Sequence, residues 1–123
     1  MIRDWELIRT ILVAAEAKAP GEVLNPTEID SDPKLVVAHM EMLHDARYVD
    51  AVFLPKMEGI SAKVVKITYA GYDLLETLRS DTKWSSIKKV AKAKGLELTF
   101  EAVKQIGSFI TDKLLKGESI PGI

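Results

Sequence analysis

The chain has no cysteine among its 123 residues. That absence excludes a disulfide framework, a cysteine-type zinc site and a thiol nucleophile. Long hydrophobic runs are missing too, because the longest unbroken one, Ile11–Ala15, is far too short to cross a bilayer. The amino end, Met1-Ile2-Arg3-Asp4, lacks the layout of a signal peptide. The sequence therefore predicts a cytoplasmic protein that does not enter membranes.

Motifs for catalysis are also absent. There is no phosphate-cradling glycine-rich loop, no His-Glu-x-x-His and no Gly-x-Ser-x-Gly. His39 and His44 are five residues apart, about 500° around a helix, so they do not form a metal-binding pair. We expect His39 to be a packed, hydrogen-bonded core residue. The acidic residues Glu28, Asp30 and Asp32 stand at helix starts, where the helix dipole favours them. We expect no enzyme activity, no metal and no cofactor.

What remains is an ordinary globular composition, with 47% hydrophobic and 28% charged residues. A chain of this length can bury one core without disulfides or metals. The net charge is only −1, but the charges are unevenly distributed. Residues 27–58 contain three bases and seven acids, whereas residues 59–95 contain eight bases and three acids. The local positive excess bears on binding partners rather than on the fold.

Hydrophobic spacing and capping signals predict a first helix over residues 4–18 and a second of one or two turns over residues 25–30. The third helix is predicted over residues 33–46 and the fifth over residues 81–94. A fourth helix follows the cap Thr68, and a last helix follows the cap Thr99 and ends at Gly117 and Pro121-Gly122. Two strands, 48–54 and 63–68, are predicted between the third and fourth helices, and Val23-Leu24 is a very short strand or a packed linker.

Three finer expectations concern the hairpin and the helix after it. Pro55 should end the first strand. Strict alternation in the second strand should place Val65 and Ile67 on one face and Val64 on the other. Gly71 lies inside the fourth helix, where glycine is unfavourable. It therefore indicates a close approach of the helix backbone to a neighbouring element.

The predicted fold class is mainly α with a small β-hairpin. Residues 1–80 would form a winged helix-turn-helix domain, and residues 81–123 would form two additional C-terminal helices packed on it, giving one compact unit. The residues that carry a more specific resemblance are Arg3-Asp4, Leu7-Ile8, Ile11-Leu12, His39, Leu43, Ala46, Ile67-Thr68, Gly71, Leu75, Arg79, Asp81 and Trp84. In this order and spacing the chain resembles the domain of unknown function 2513 family of bacteria and prophages, and more broadly winged-helix regulators. The resemblance implies a fold rather than an activity.

One position departs from the pattern of that family. Where its members usually have Ala-Gly at the end of the third helix, this chain has Ala46-Arg47. A glycine there would take a left-handed conformation freely, whereas Arg47 would be strained in it. The helix is therefore expected either to end differently or to end one residue earlier or later.

Two functions from different classes are open. The first is DNA binding or transcription regulation, although Glu41 and Asp45 on the outward face of the third helix would oppose phosphates. The wing and the fifth helix are therefore the better DNA-contacting elements, unless their lysines are simply a solvated face. The predicted DNA-binding residues are Lys34, Lys56, Lys63, Lys66, Lys83, Lys88, Lys89 and Lys92.

The second function is a protein-interaction or dimerisation module that keeps the fold without binding DNA. It rests on the apolar stripe of the last helix, which would pack either on the first and fifth helices or on a second copy of the chain. The predicted dimer-interface residues are Phe100, Val103, Ile106, Phe109, Ile110 and Leu114. The expected partners are thus double-stranded DNA, a second copy or another protein, with no small-molecule cofactor.

Overall fold

The computed structural model describes residues 2–118, which form five α-helices, one short 3-10 helix and one two-stranded antiparallel hairpin. The elements are α1 (Trp5–Glu16), the 3-10 helix (Pro26–Glu28), α2 (Pro33–Asp45), β1 (Val49–Lys56), β2 (Gly59–Ile67), α3 (Tyr69–Arg79), α4 (Asp81–Ala93) and α5 (Phe100–Leu115). This order confirms the predicted fold class, a mainly helical chain with the arrangement of a helix-turn-helix followed by a wing. Pro121 and Gly122, predicted to follow the last helix, lie outside the described residues.

The chain divides into two compact units, one ending at Leu75 and the other beginning at Glu76. The first unit holds α1, the 3-10 helix, α2, the hairpin and the first part of α3. The second holds the end of α3, α4 and α5. The break falls inside α3, and the division predicted after residue 80 stays a prediction.

The core of the first unit is built from apolar stripes at helical spacing. On α1 the buried residues are Leu7, Ile8, Ile11 and Leu12, and on α2 they are Val36, His39, Met40 and Leu43. Fully burying one large aliphatic side chain contributes about 1.5–3 kcal/mol. Helical spacing predicts Val36, His39/Met40 and Leu43 on α2, and this stripe is confirmed. On α1 it predicts Trp5, Ile8, Ile11/Leu12 and Ala15. Ile8, Ile11 and Leu12 are indeed buried, but Leu7 is buried as well, whereas Trp5 and Ala15 are half-buried.

His39 is the polar member of that core and is fully buried. Its Nε2 accepts a hydrogen bond from the backbone N–H of Asp4 at 2.9 Å, and its Nδ1 lies 2.9 Å from the carbonyl oxygen of Leu35. Because an amide N–H can only donate, Nε2 is the acceptor, and Nδ1 carries the proton that is donated to Leu35. The prediction of a packed, hydrogen-bonded core histidine is confirmed.

The hairpin contains a β-bulge that the sequence pattern did not reveal. Asp50 pairs with Lys66 but Ala51 pairs with Val64, so Val65 has no opposite residue on β1. The extra residue reverses the alternation of side chains along β2. Val64 and Ile67 are consequently both buried, whereas Val65 is exposed. The prediction that Val65 and Ile67 share a face was wrong for this reason.

Pro55 lies within β1 instead of ending it, so that prediction was also wrong. Leu24 forms a single bridge with Val64, with backbone hydrogen bonds of 2.9 and 3.0 Å, on the side of β2 away from β1. Ala51, opposite Val64, therefore directs its N–H to the free side of β1, where it donates to Nδ1 of His44 at 3.3 Å. Pro55 has the same orientation four residues later, and its missing N–H removes no bond to β2.

Arg47 occupies the position at the end of α2 where a glycine was expected. The N–H of Arg47 donates to the carbonyl of His44 and the N–H of Tyr48 donates to that of Leu43, both at 2.9 Å, which is the Schellman pattern. Arg47 has a φ of 66°, and it is the one non-glycine residue of the described chain in the left-handed region. The helix thus ends as a glycine would end it, with an arginine in the glycine position. The expectation that it would end differently, or at another residue, was wrong.

The start of α3 packs tightly against this turn. The hydroxyl of Thr68 donates to the carbonyl of Arg47 at 2.7 Å and accepts from the N–H of Gly71 at 3.1 Å. A Cβ at Gly71 would lie 1.9 Å from the carbonyl oxygen of Tyr48 and 2.6 Å from Cγ2 of Ile67. The predicted close approach at Gly71 is confirmed, and the neighbouring element is the backbone that leads into β1.

Candidate nucleic-acid interface

Three lysines of α4 share one exposed face. At about 100° per residue, Lys88, Lys89 and Lys92 fall within an arc of about 100°. The buried residues of α4 occupy the remaining sides of the helix: Trp84, Ser86, Ile87, Val90 and Ala91. The fourth predicted lysine of this helix, Lys83, is half-buried and lies on another side. We call Lys88, Lys89 and Lys92 the lysine stripe.

The lysine stripe has no carboxylate partner within the described residues. Lysines elsewhere do pair: Lys18 with Glu28, Lys66 with Asp50, Lys113 with Glu118 and Lys116 with Asp112. Lys88 and Lys92 are also four residues apart, and like charges at that spacing destabilise a helix by about 0.2–0.5 kcal/mol. The one ring contact of the stripe is that of Lys88, whose Nζ lies 5.7 Å from the Trp84 ring centroid. This positive charge is therefore uncompensated in the part of the chain that the structure describes.

The outward face of α2 carries the opposite charge. Lys34, Glu41 and Asp45 are exposed on this helix, so one base stands against two acids. Asp32 caps the helix by accepting a hydrogen bond from the backbone N–H of Lys34 at 3.0 Å. Two carboxylates here would repel a phosphate backbone. Lys34 is thus the single basic contribution of α2 to a DNA-binding surface.

The wing, which is the hairpin of β1 and β2, holds the remaining predicted lysines. Lys56 is exposed beside the turn, and Lys63 is half-buried opposite Val52 on the neighbouring strand. Lys66 lies opposite Asp50 and its Nζ is 3.6 Å from the carboxylate, with both side chains more than half exposed. An exposed pair of this kind contributes little to stability. Lys56 and Lys63 are therefore the wing lysines without a carboxylate partner among residues 2–118.

The structure separates the six residues predicted for a dimer interface. Val103, Ile106 and Ile110 are buried inside the chain, and Phe100 and Phe109 are half-buried. Leu114 is 61% exposed, and Leu115, which sequence reasoning did not single out, is 83% exposed. The buried members are unavailable to a partner, and a dimer contact through Leu114 stays a prediction.

The acidic residues before α2 have local structural partners. Glu28 accepts a hydrogen bond from the backbone N–H of Asn25 at 2.8 Å and pairs with the ammonium of Lys18. The Asn25 hydrogen bond, followed by the Lys18 contact, lowers the pKa of Glu28 below its ordinary value.

Within residues 2–118, no three histidine, aspartate or glutamate side chains are grouped so that they could hold a metal ion. None of the helices in this range combines the length and apolarity needed to cross a membrane.

Comparison with known proteins gives a family without an assigned activity. The model of the domain of unknown function 2513 family, described as "Hypothetical protein (DUF2513)", matches residues 2–97, which include α1, α2, the hairpin and α4. An "Uncharacterized protein" of Haemophilus influenzae is 32% identical over 117 residues, covering 94% of this chain and 99% of the relative. No solved structure matches the chain.

Proposed function

We propose that this chain, which belongs to the domain of unknown function 2513 family, is a non-catalytic, cytoplasmic winged-helix protein that binds double-stranded DNA as a regulatory accessory factor. The observation that carries the proposal is the lysine stripe. Three lysines on one face, which pair with no carboxylate of the described residues and include a mutually repulsive pair, suit an anionic partner. The phosphates of duplex DNA are such a partner.

The helix-turn-helix arrangement and the unpaired wing lysines support the same proposal. Lys56 and Lys63 of the hairpin add positive charge toward the duplex, while α2 adds only Lys34. The expected binding is weak and strongly salt-dependent, because it depends on a few point charges that release counterions. The net charge of −1 does not oppose DNA binding, because phosphates interact with the local charge of a surface rather than with the net charge of the chain.

The test is a titration of a fluorescently labelled mixed-sequence duplex with the full chain at salt concentrations from about 50 to 200 mM. The variant replaces all three stripe lysines by glutamine, and the matched control replaces the three paired lysines Lys18, Lys113 and Lys116 by glutamine. Each lost phosphate contact should reduce the magnitude of the slope of log K against log salt concentration by about 0.9. The stripe variant, which loses three contacts, should therefore have a slope smaller in magnitude by about 2.7. The control should keep most of the slope.

Two results would contradict the proposal: no binding at about 50 mM salt, where phosphate contacts are strong, or equal slopes for wild type and stripe variant. Circular dichroism melts of all three proteins establish that the substitutions leave the fold intact.

The alternative, a protein-interaction or dimerisation module, draws support from the two adjacent exposed leucines at the end of α5, Leu114 and Leu115. Light scattering on the concentrated protein tests it. A dimer that dissociates when both leucines become serine would favour this alternative, and a monomer at all concentrations would exclude self-association through α5.

A further inference from the structure

Between Val52 and the turn, one face of the hairpin is exposed, partly apolar and free of carboxylates. The register pairs Val52 with Lys63, Leu54 with Ser61 and Lys56 with Gly59, and directly opposed residues project to the same face. The intervening pair, Phe53 and Ala62, projects to the other side, where Ala62 is buried. We call Val52, Leu54, Lys56, Ser61 and Lys63 the outer hairpin face.

The apolar residues of this face are solvent-exposed in the chain: Val52 is 48% and Leu54 is 43% exposed. The acids nearest to it are Asp50, which pairs with Lys66 at the base of the hairpin, and Glu58, which lies in the turn. Asp50 lies two residues before Val52 and so projects to the same face, but its carboxylate is paired with Lys66. Between that pair and the turn, the face contains only apolar, hydroxyl and ammonium groups. Its free edge does not favour an added strand, because His44 occupies the N–H of Ala51 and Pro55 offers none.

We infer that the outer hairpin face, rather than α2, reads base edges in the major groove of duplex DNA. The inference rests on the proposed DNA-binding function. A two-stranded β-ribbon fits the major groove, which is about 12 Å wide. Val52 and Leu54 contact thymine methyl groups, Lys56 and Lys63 donate to O6 and N7 of guanine, and Ser61 bonds to either base. Glu41 and Asp45 keep α2 out of the same groove.

The experiment begins with selection of duplexes from a random pool by the full chain. A recovered 20-base-pair duplex is then compared with three chemically altered forms. Uracil in place of thymine removes the methyl group, and 7-deazaguanine in place of guanine removes N7, both from the major groove. Inosine in place of guanine removes the amino group of the minor groove. We expect about fourfold weaker binding per contacted thymine methyl, about fivefold or more per contacted N7, and no change with inosine.

Variants of the full chain then assign the effect to the hairpin. Replacing both Val52 and Leu54 by serine should abolish the difference between the thymine and uracil duplexes. Replacing Leu114 and Leu115 by serine, which changes exposed leucines of another element, should leave that difference intact. Replacing Glu41 and Asp45 by glutamine and asparagine should tighten binding of both duplexes equally, because it removes repulsion without changing base contacts.

The outcomes separate the two proposals. No binding at about 50 mM salt overturns both. Binding without enrichment of any sequence, or equal affinity for the thymine and uracil duplexes, overturns only the base-reading role of the hairpin. The hairpin inference is also overturned if its double variant folds, as judged by circular dichroism, and still distinguishes thymine from uracil.

Discussion

Glycine at position 47 is expected to give a more stable protein than alanine at the same position. Arg47 holds the position after α2 with a φ of 66°, and Gly95 and Gly117 hold the equivalent positions after α4 and α5 with φ of 66° and 69°. A side chain in the left-handed region is disfavoured by about 1–2 kcal/mol. The greater freedom of glycine in the unfolded chain offsets about 0.4–1 kcal/mol of the gain. Arg47→Ala loses the same positive charge, so relative to that variant the net stabilisation is about 1 kcal/mol.

For 123 residues unfolding together, this corresponds to a rise in melting temperature of about 4 °C. Thermal and urea denaturation followed by circular dichroism measure it. Arg47→Ala keeps the strain but removes the positive charge, which stabilises a helix C-terminus by about 0.3–1 kcal/mol. That variant should therefore be neutral or slightly less stable than wild type.

The opposite substitution is available at Gly95, which has the same φ and no atom within 4 Å of an added Cβ. Gly95→Ala should therefore destabilise by about 1 kcal/mol through backbone strain alone. If Gly95→Ala destabilises as expected but Arg47→Gly is no more stable than Arg47→Ala, the left-handed conformation at residue 47 carries no strain, and the reasoning is refuted.

Two further outcomes are expected. Gly71→Ala should destabilise the protein by about 3 kcal/mol or more, because the added methyl meets a fixed carbonyl of Tyr48. Gly107→Ala, whose Cβ would lie 3.5 Å from its nearest neighbour, should instead stabilise α5 by up to about 1 kcal/mol. Equal effects of the two substitutions on the free energy of unfolding would contradict the packing. Because folding lowers the pKa of Glu28, its charged carboxylate stabilises the protein above about pH 4.5, and this contribution is lost as the pH falls through the folded pKa. Urea unfolding should show Glu28→Gln less stable than wild type at neutral pH, with the difference shrinking as the solution is acidified. A pH-independent difference would contradict the assignment.

Local signals in the sequence identified most of the helical scaffold. The stripe of α2 from Val36 to Leu43 and the close approach at Gly71 both follow from residue type and spacing, and both are found. The hairpin was harder to predict for a physical reason. Whether Val65 is skipped in the ladder, and whether Pro55 faces a partner strand or a free edge, depends on pairing with residues distant in the sequence. The sequence of one strand alone therefore predicts neither the bulge at Val65 nor the free edge at Pro55.

The candidate interface shows a similar limit. Periodicity found the lysines of α4, but only the folded chain shows that three of them lie on one face and that no carboxylate of the described chain neutralises them. The stripe of α5 was correctly recognised as apolar. An apolar stripe does not reveal what covers it, and Val103, Ile106 and Ile110 prove to be covered by this chain itself.

The hydrogen bond between Asp4 and His39 has a consequence for how the first unit opens. Asp4 caps α1 through its side chain, which accepts from the N–H of Leu7 at 3.1 Å, and its own N–H reaches a ring 35 residues later. The first turn of α1 is therefore not an independent fraying end, because opening it would orphan a polar group of the buried imidazole. We therefore expect the amino end of α1 to open together with α2 in subglobal unfolding.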